Sequence, residues 1–176
     1  MRVCEILTAD MANGTGMRVT VFVSGCLNHC KGCFQPETWD FDYGHVYSKE
    51  IEDLIIKELE KPYYEGITFL GGDPFEMINQ EGIWPLIERI RKELPNRNIW
   101  MYTGYLYDKD LVPGGRRYLE NITDKILDNI DILVDGPFVE YQKSILLKFR
   151  GSSNQRIIDM KKTRATGSIV LAPWNT

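Results

Sequence analysis

Histidine is scarce in this chain, with two in 176 residues, and no His/Asp pair stands out for acid–base work. No apolar run approaches the roughly 20 residues of a membrane span. The start, Met1-Arg2-Val3-Cys4-Glu5, lacks the layout of a signal peptide. Basic charge is not in excess, and a net charge of −4 gives no support to general nucleic-acid binding. Repeats, low-complexity tracts and long linkers are also missing, so a single domain over residues 1–176 is expected. Cysteine is limited to four residues, yet a chain of this length buries roughly 70% of its unfolded surface and needs no cross-links. Together these absences point to a cytoplasmic protein kept reduced, with neither a membrane nor a nucleic acid as partner.

What cysteine there is lies together. Cys26, Cys30 and Cys33 fall in the stretch Cys26-Leu27-Asn28-His29-Cys30-Lys31-Gly32-Cys33, spaced C-x3-C-x2-C. Thiolates this close repel one another, so they need a bridge or a metal. A disulfide leaves one thiol over, whereas a metal site uses all three. Thiolate-rich sites suit zinc or an iron–sulfur cluster. Structural zinc is closed by four ligands, and the candidates for a fourth are Cys4, His29 and His45. A four-iron cluster usually takes four Cys, so three leave one iron open to a small molecule. Spacing and count leave both metals standing.

The rest of the chain alternates between strand and helix patterns. Residues 17 to 24 read as a β-branched strand entered from the turn Asn13-Gly14-Thr15-Gly16 and leaving into the cysteine stretch. Ser48 can cap a helix with Ile51, Leu54, Ile55 and Leu59 on one apolar stripe, stopped by Pro62. Strands are expected at 66–70, 98–103 and 131–134. Helices are expected at about 83–94, with Pro85 in the first turn, and at about 117–129. Residues 146–149 and 168–171 read as short extra strands. Such alternation implies parallel strands with crossover helices. A complete eight-fold barrel needs about 250 residues. The expected fold is therefore α/β, an open partial (β/α) barrel of five or six parallel units. Its strand-end turns would share one side with the cysteines.

Other motifs have both a plain and a functional reading. Gly71-Gly72-Asp73-Pro74 is a strand-to-helix turn, or a place where bare backbone and a carboxylate approach an ammonium group. Trp100 to Tyr105 reads as a buried aromatic strand, and Asp135 as a turn cap or a site residue. Residues 141–165 carry seven Lys or Arg against one Asp. That segment is either a solvated basic tail or a docking surface for an acidic partner.

The cysteine spacing followed by Phe34 resembles the signature of the radical S-adenosylmethionine superfamily. Within it, these pieces in this order are similar to the activating subunits of anaerobic ribonucleotide reductases. They are Asn13-Gly14-Thr15-Gly16, the cysteine stretch, Thr38-Trp39, Gly71-Gly72-Asp73-Pro74, Ile99 to Tyr105, Val134-Asp135-Gly136 and Arg150 to Gln155. The resemblance implies a [4Fe-4S] cluster on Cys26, Cys30 and Cys33, with S-adenosylmethionine chelating the open iron. It implies that Gly72, flanked by Gly71 and Asp73, meets the methionine amino group, and that Gly32, Cys33 and Phe34 meet the nucleoside. A flavodoxin-like donor would reduce the cluster. The sulfonium would cleave to methionine and a 5′-deoxyadenosyl radical, which takes hydrogen from a glycine of the large reductase subunit. Self-association is implied by family analogy. Departures from the family pattern are Thr15 in place of Pro, and the stretch Phe75 to Gln80. An activase for another glycyl-radical enzyme, such as pyruvate formate-lyase, is the near alternative, and a non-catalytic zinc module the distant one.

Overall fold

The computed structural model describes all residues from Met1 to Thr176. A seven-stranded sheet organises them. Its strands are β1 (Arg2–Asp10), β2 (Arg18–Val23), β3 (His45–Val46), β4 (Gly66–Gly71), β5 (Asn98–Tyr102), β6 (Ile132–Asp135) and β7 (Arg156–Asp159). They lie in the order β3-β1-β2-β4-β5-β6-β7, with β3 and β7 outermost. The helices are α1 (Lys49–Leu59), α2 (Met77–Glu93), α3 (Tyr107–Asp110), α4 (Thr123–Asn129) and α5 (Met160–Thr166).

The middle of the sheet is parallel: β2 with β4, β4 with β5, and β5 with β6. These four strands are rich in β-branched and aromatic residues and buried on both faces, as crossover units require. The parallel run is shorter than the five or six units expected. β1, β3 and β7 pair antiparallel and flank it. Hence the fold is mixed α/β, parallel only at its centre.

Ile67, Phe69, Ile99, Met101 and Leu133 face a 25-residue core that also takes Ile55 and Leu59 of α1 and Ile83, Ile87 and Ile90 of α2. Alternate residues Trp100, Ile132, Val134 and Ile157 pack with Ala172 on the opposite face, against Phe149 and Trp174. Trp100 meets Phe149 edge-on, with ring centres 5.2 Å apart, a favoured aromatic geometry. The C-terminal stretch thus covers one face of the sheet.

Several local expectations are corrected. Ser48 does cap α1, accepting the Ile51 amide at 3.4 Å, an interaction worth about 1 kcal/mol. Leu54, however, is 66% exposed and Glu52 takes an inward place, paired with Lys49 and Arg89. α2 begins at Met77 rather than near Ile83, leaving Pro85 inside the helix. Tertiary bonds hold the turn ahead of the proline. Asn79 donates to the carbonyls of Ser24 and Asp73, and Gln80 to those of Phe75 and Arg117. The third expected helix is cut to Thr123–Asn129, because Asn121 takes a left-handed φ of 66° just before it. Residues 146–149 and 168–171 form no strand; Leu171 makes only an isolated bridge to Ile158. The chain from Arg156 on supplies β7 and α5, neither of which the sequence patterns led one to expect. No helix is long and apolar enough to cross a membrane.

Candidate functional site

Parallel strands bring their C-terminal ends to one edge, and chemistry gathers there in α/β folds. Here β2 runs into Cys26, β4 into Gly71-Gly72-Asp73, β5 into Thr103-Gly104 and β6 into Gly136. All four turns line one cavity of about 430 Å³. Cys26, Cys30 and Cys33 line it, with Gly32 and Phe34 beside them. Cys26, Cys30 and Cys33 of the cysteine stretch, Gly32 and Phe34 beside them, and Gly71, Gly72 and Asp73 therefore border the same space. The alternative fourth ligands Cys4, His29 and His45 do not line it. Cys4 sits in β1 as a free thiol, His29 stacks on Trp39 at 4.7 Å, and His45 lies exposed in β3.

The glycines of this edge are there for close approach. A Cβ on Gly72 would stand 2.5 Å from the Gly25 carbonyl oxygen, and one on Gly104 2.5 Å from the Asn28 side chain. Gly71 holds a φ of 111°, which only glycine adopts without strain. The glycine turn and the cysteine turn are thus packed backbone to backbone. The Asp73 amide donates to the Gly25 carbonyl at 2.8 Å.

Asp73 does not point its carboxylate into open space. It is 1% exposed. Its oxygens accept bonds from the Phe75 amide, the Thr103 hydroxyl, the Gly104 amide and the Asn28 side chain. Burial pushes its carboxyl up to about 7, against those donors, which favour the charged form. In this structure it ties three turns together.

The three thiols share the cavity wall but do not converge as metal ligands do. Burial pushes Cys26 up to about 12 and raises Cys30, so neither is a free thiolate on its own. A metal would reverse that, because coordination deprotonates a thiol outright. The donor set fits an iron–sulfur cluster: three thiols on one turn, with no histidine among the lining residues. The wall also fits a polar ligand. Trp39, Tyr102 and Arg150 border the cavity, and each carries a buried donor atom without a partner.

The far wall comes from the segment after β6. Phe138, Lys143, Leu147 and Phe149 line the cavity. Arg150 to Gln155 is no loose surface loop. Ser152 is fully buried and accepts the Val139 amide, while Gln155 and Asn154 donate to the Gly136 and Pro137 carbonyls. Asp135 is a cap and an ion-pair partner, accepting the Tyr107 amide and pairing with Arg156. Much of the basic charge of 141–165 is engaged internally, through Arg150, Arg156 and Arg164. Sequence reasoning missed Asn28 and Glu76, both of which bind the cysteine turn to its surroundings. Asn28 stands inside the cysteine stretch, but nothing in the sequence singled out Glu76.

A family model described as a 4Fe-4S single cluster domain matches residues 12–158. The chain is 40% identical over 157 residues to the anaerobic ribonucleoside-triphosphate reductase-activating protein of Salmonella typhimurium, covering 88% of this chain and 96% of that protein. It is 40% identical over 148 residues to the protein of the same name from Escherichia coli K12, covering 83% and 90%. The Enterobacteria phage T4 protein of that name is 34% identical over 155 residues, covering 87% and 90%. On this coverage and identity, the chain belongs to the family of anaerobic ribonucleoside-triphosphate reductase-activating proteins, built on a 4Fe-4S single cluster domain.

Proposed function

We propose that this protein activates the large subunit of an anaerobic ribonucleotide reductase, using S-adenosylmethionine to place a radical on one of its glycines. Cys26, Cys30 and Cys33 would hold the [4Fe-4S] cluster, three thiols where four are usual, and S-adenosylmethionine would bind beside them. When bound, cluster and cofactor supply a one-electron cleavage of the sulfonium C–S bond, whose product takes hydrogen from a glycine Cα. The electron comes from a one-electron donor such as a flavodoxin-like protein. The observation that carries this reading is that the three thiols and the Gly71-Gly72 turn border one cavity.

The chain's own residues bind, orient and exclude water. Gly71 and Gly72 present bare backbone to the methionine amino group, while Asp73 keeps that turn fixed against Asn28 and Gly104. Gly32, Cys33 and Phe34 meet the nucleoside. Phe34 is 72% exposed, and a bound nucleoside would cover it. No side chain has to move a proton at the radical step, which suits a site lined by glycines and thiols. The sheet does not close on itself, since β3 and β7 end it on opposite sides, and this suits an open partial barrel whose mouth admits a polypeptide segment. We read the chain as one cytoplasmic domain that self-associates.

The test mixes the reconstituted protein anaerobically with the reductase large subunit, S-adenosylmethionine and a reductant, and looks for a glycyl radical by electron paramagnetic resonance. The radical is expected with the wild type and with Cys4→Ala, and not with Cys26→Ala, Cys30→Ala or Cys33→Ala. A radical formed undiminished by all three variants overturns the site. A radical formed on pyruvate formate-lyase but not on the reductase overturns the choice of partner.

A further inference from the structure

Glu76 stands just ahead of α2, outside every motif by which the chain is recognised. It is nevertheless buried, at 3% exposure. Its Oε1 accepts the backbone amide of Leu27 at 2.9 Å and the hydroxyl of Tyr105 at 2.5 Å. Arg117 Nε lies 3.2 Å from Oε2, a charge contact without hydrogen-bond geometry. The guanidiniums of Arg116 and Arg117 lie 4.9 and 4.6 Å from the centre of the Tyr105 ring. Tyr105 is thus clamped between cations and a carboxylate, and Glu76 is held in one place. Leu27 directly follows Cys26, so that place is against the backbone of the cysteine turn.

Two physical consequences follow from the geometry. An amide in a thiolate turn can donate to sulfur, and such bonds ease reduction of a cluster. The Leu27 amide is committed to Glu76 instead. A carboxylate in a poorly solvated place also opposes the arrival of an electron nearby, because the Coulomb cost is weakly screened there. Both effects act in the same direction. They make a cluster on this turn a stronger reductant, which is what cleavage of a sulfonium needs. Arg117 sits on the other oxygen and tempers the charge without removing it.

We infer that Glu76 is a positioning residue for the cysteine turn. It fixes the backbone at Leu27, keeps that amide away from sulfur, and holds a negative charge beneath the metal site. The inference rests on the cluster assignment proposed above.

The test compares reconstituted wild type with Glu76→Gln and Glu76→Ala. Glutamine keeps an acceptor for the Leu27 amide but loses the charge; alanine loses both. Two readouts are taken: the midpoint potential of the cluster's electron paramagnetic resonance signal, and the rate of iron loss to a chelator. Glu76→Gln is expected to keep its iron as the wild type does and to show a midpoint moved to a more positive potential. Glu76→Ala is expected to lose iron about tenfold faster, as when an outer partner of a metal ligand is removed. A midpoint for Glu76→Gln equal to that of the wild type overturns the inference, as does wild-type iron retention in Glu76→Ala. If the alanine variant does not fold, the glutamine midpoint decides alone. A merely structural role would lower the melting temperature and leave the midpoint in place. Wild type that binds no iron–sulfur cluster overturns both this inference and the function proposed above, whereas a normal wild type with unmoved variants overturns this inference only.

Discussion

Asn28 donates its side-chain amide to Asp73 at 2.9 Å, and this bond fastens the cysteine turn to the glycine turn. The same Asp73 carboxylate accepts the Gly104 amide at 2.8 Å, so one buried group serves three strand ends. Asp73→Asn would turn an acceptor oxygen into a donor facing other donors. A buried polar group left unpaired in this way costs about 1–3 kcal/mol. The expected result is a denaturant midpoint lowered to match, measured on the metal-free chain. A midpoint unchanged from the wild type would show that the carboxylate does not organise these turns.

Gly72 offers a second prediction. Its added Cβ would meet the backbone of Gly25 at 2.5 Å, and backbone cannot give way as a side chain does. Gly72→Ala should therefore push the two turns apart. Binding of S-adenosylmethionine to the reconstituted protein, followed by calorimetry, is expected to weaken by at least about tenfold, corresponding to about 1.4 kcal/mol. Equal affinity in the variant would remove Gly72 from the ligand site.

How far the sequence was legible depends on which forces are local. The cysteine spacing and Gly71-Gly72-Asp73 lie in contiguous stretches, and four parallel strands deliver them to one edge, so both could be read in advance. β1 could not, because it pairs antiparallel through two register shifts and its burial does not alternate cleanly. Leu54 looks inward by spacing alone. The inward place goes instead to Glu52, whose partners Lys49 and Arg89 compensate its burial. Pro85 argues for a helix starting nearby, yet Asn79 and Gln80 reach distant carbonyls and hold an earlier turn. Glu76 was invisible for the same reason, since its meaning lies in Leu27, Tyr105 and Arg117, which approach only in the fold.

The pairing of Glu52 carries a prediction about acid. Burial works against its charged form, yet hydrogen bonds from Lys49 and Arg89 hold its carboxyl below the ordinary value of 4.5. Below that value the unfolded chain binds a proton that the folded chain resists, so stability rises with pH through this window. The wild type should be more stable than Glu52→Gln at pH 7. The advantage should shrink as pH falls below 4.5 and through the depressed folded value. Urea melts of the metal-free chain at several pH values check it. A difference that does not change with pH would mean that the ion pairs contribute nothing.

The central claim is that three thiolates on one turn leave an iron corner for the cofactor. The most direct measurement is the electron paramagnetic resonance spectrum of the reduced, reconstituted protein with and without S-adenosylmethionine. The account predicts a four-iron signal that changes on adding the cofactor and that is lost in Cys26→Ala, Cys30→Ala and Cys33→Ala, but kept in Cys4→Ala. A spectrum indifferent to the cofactor, or a protein holding one zinc and no iron, would contradict it.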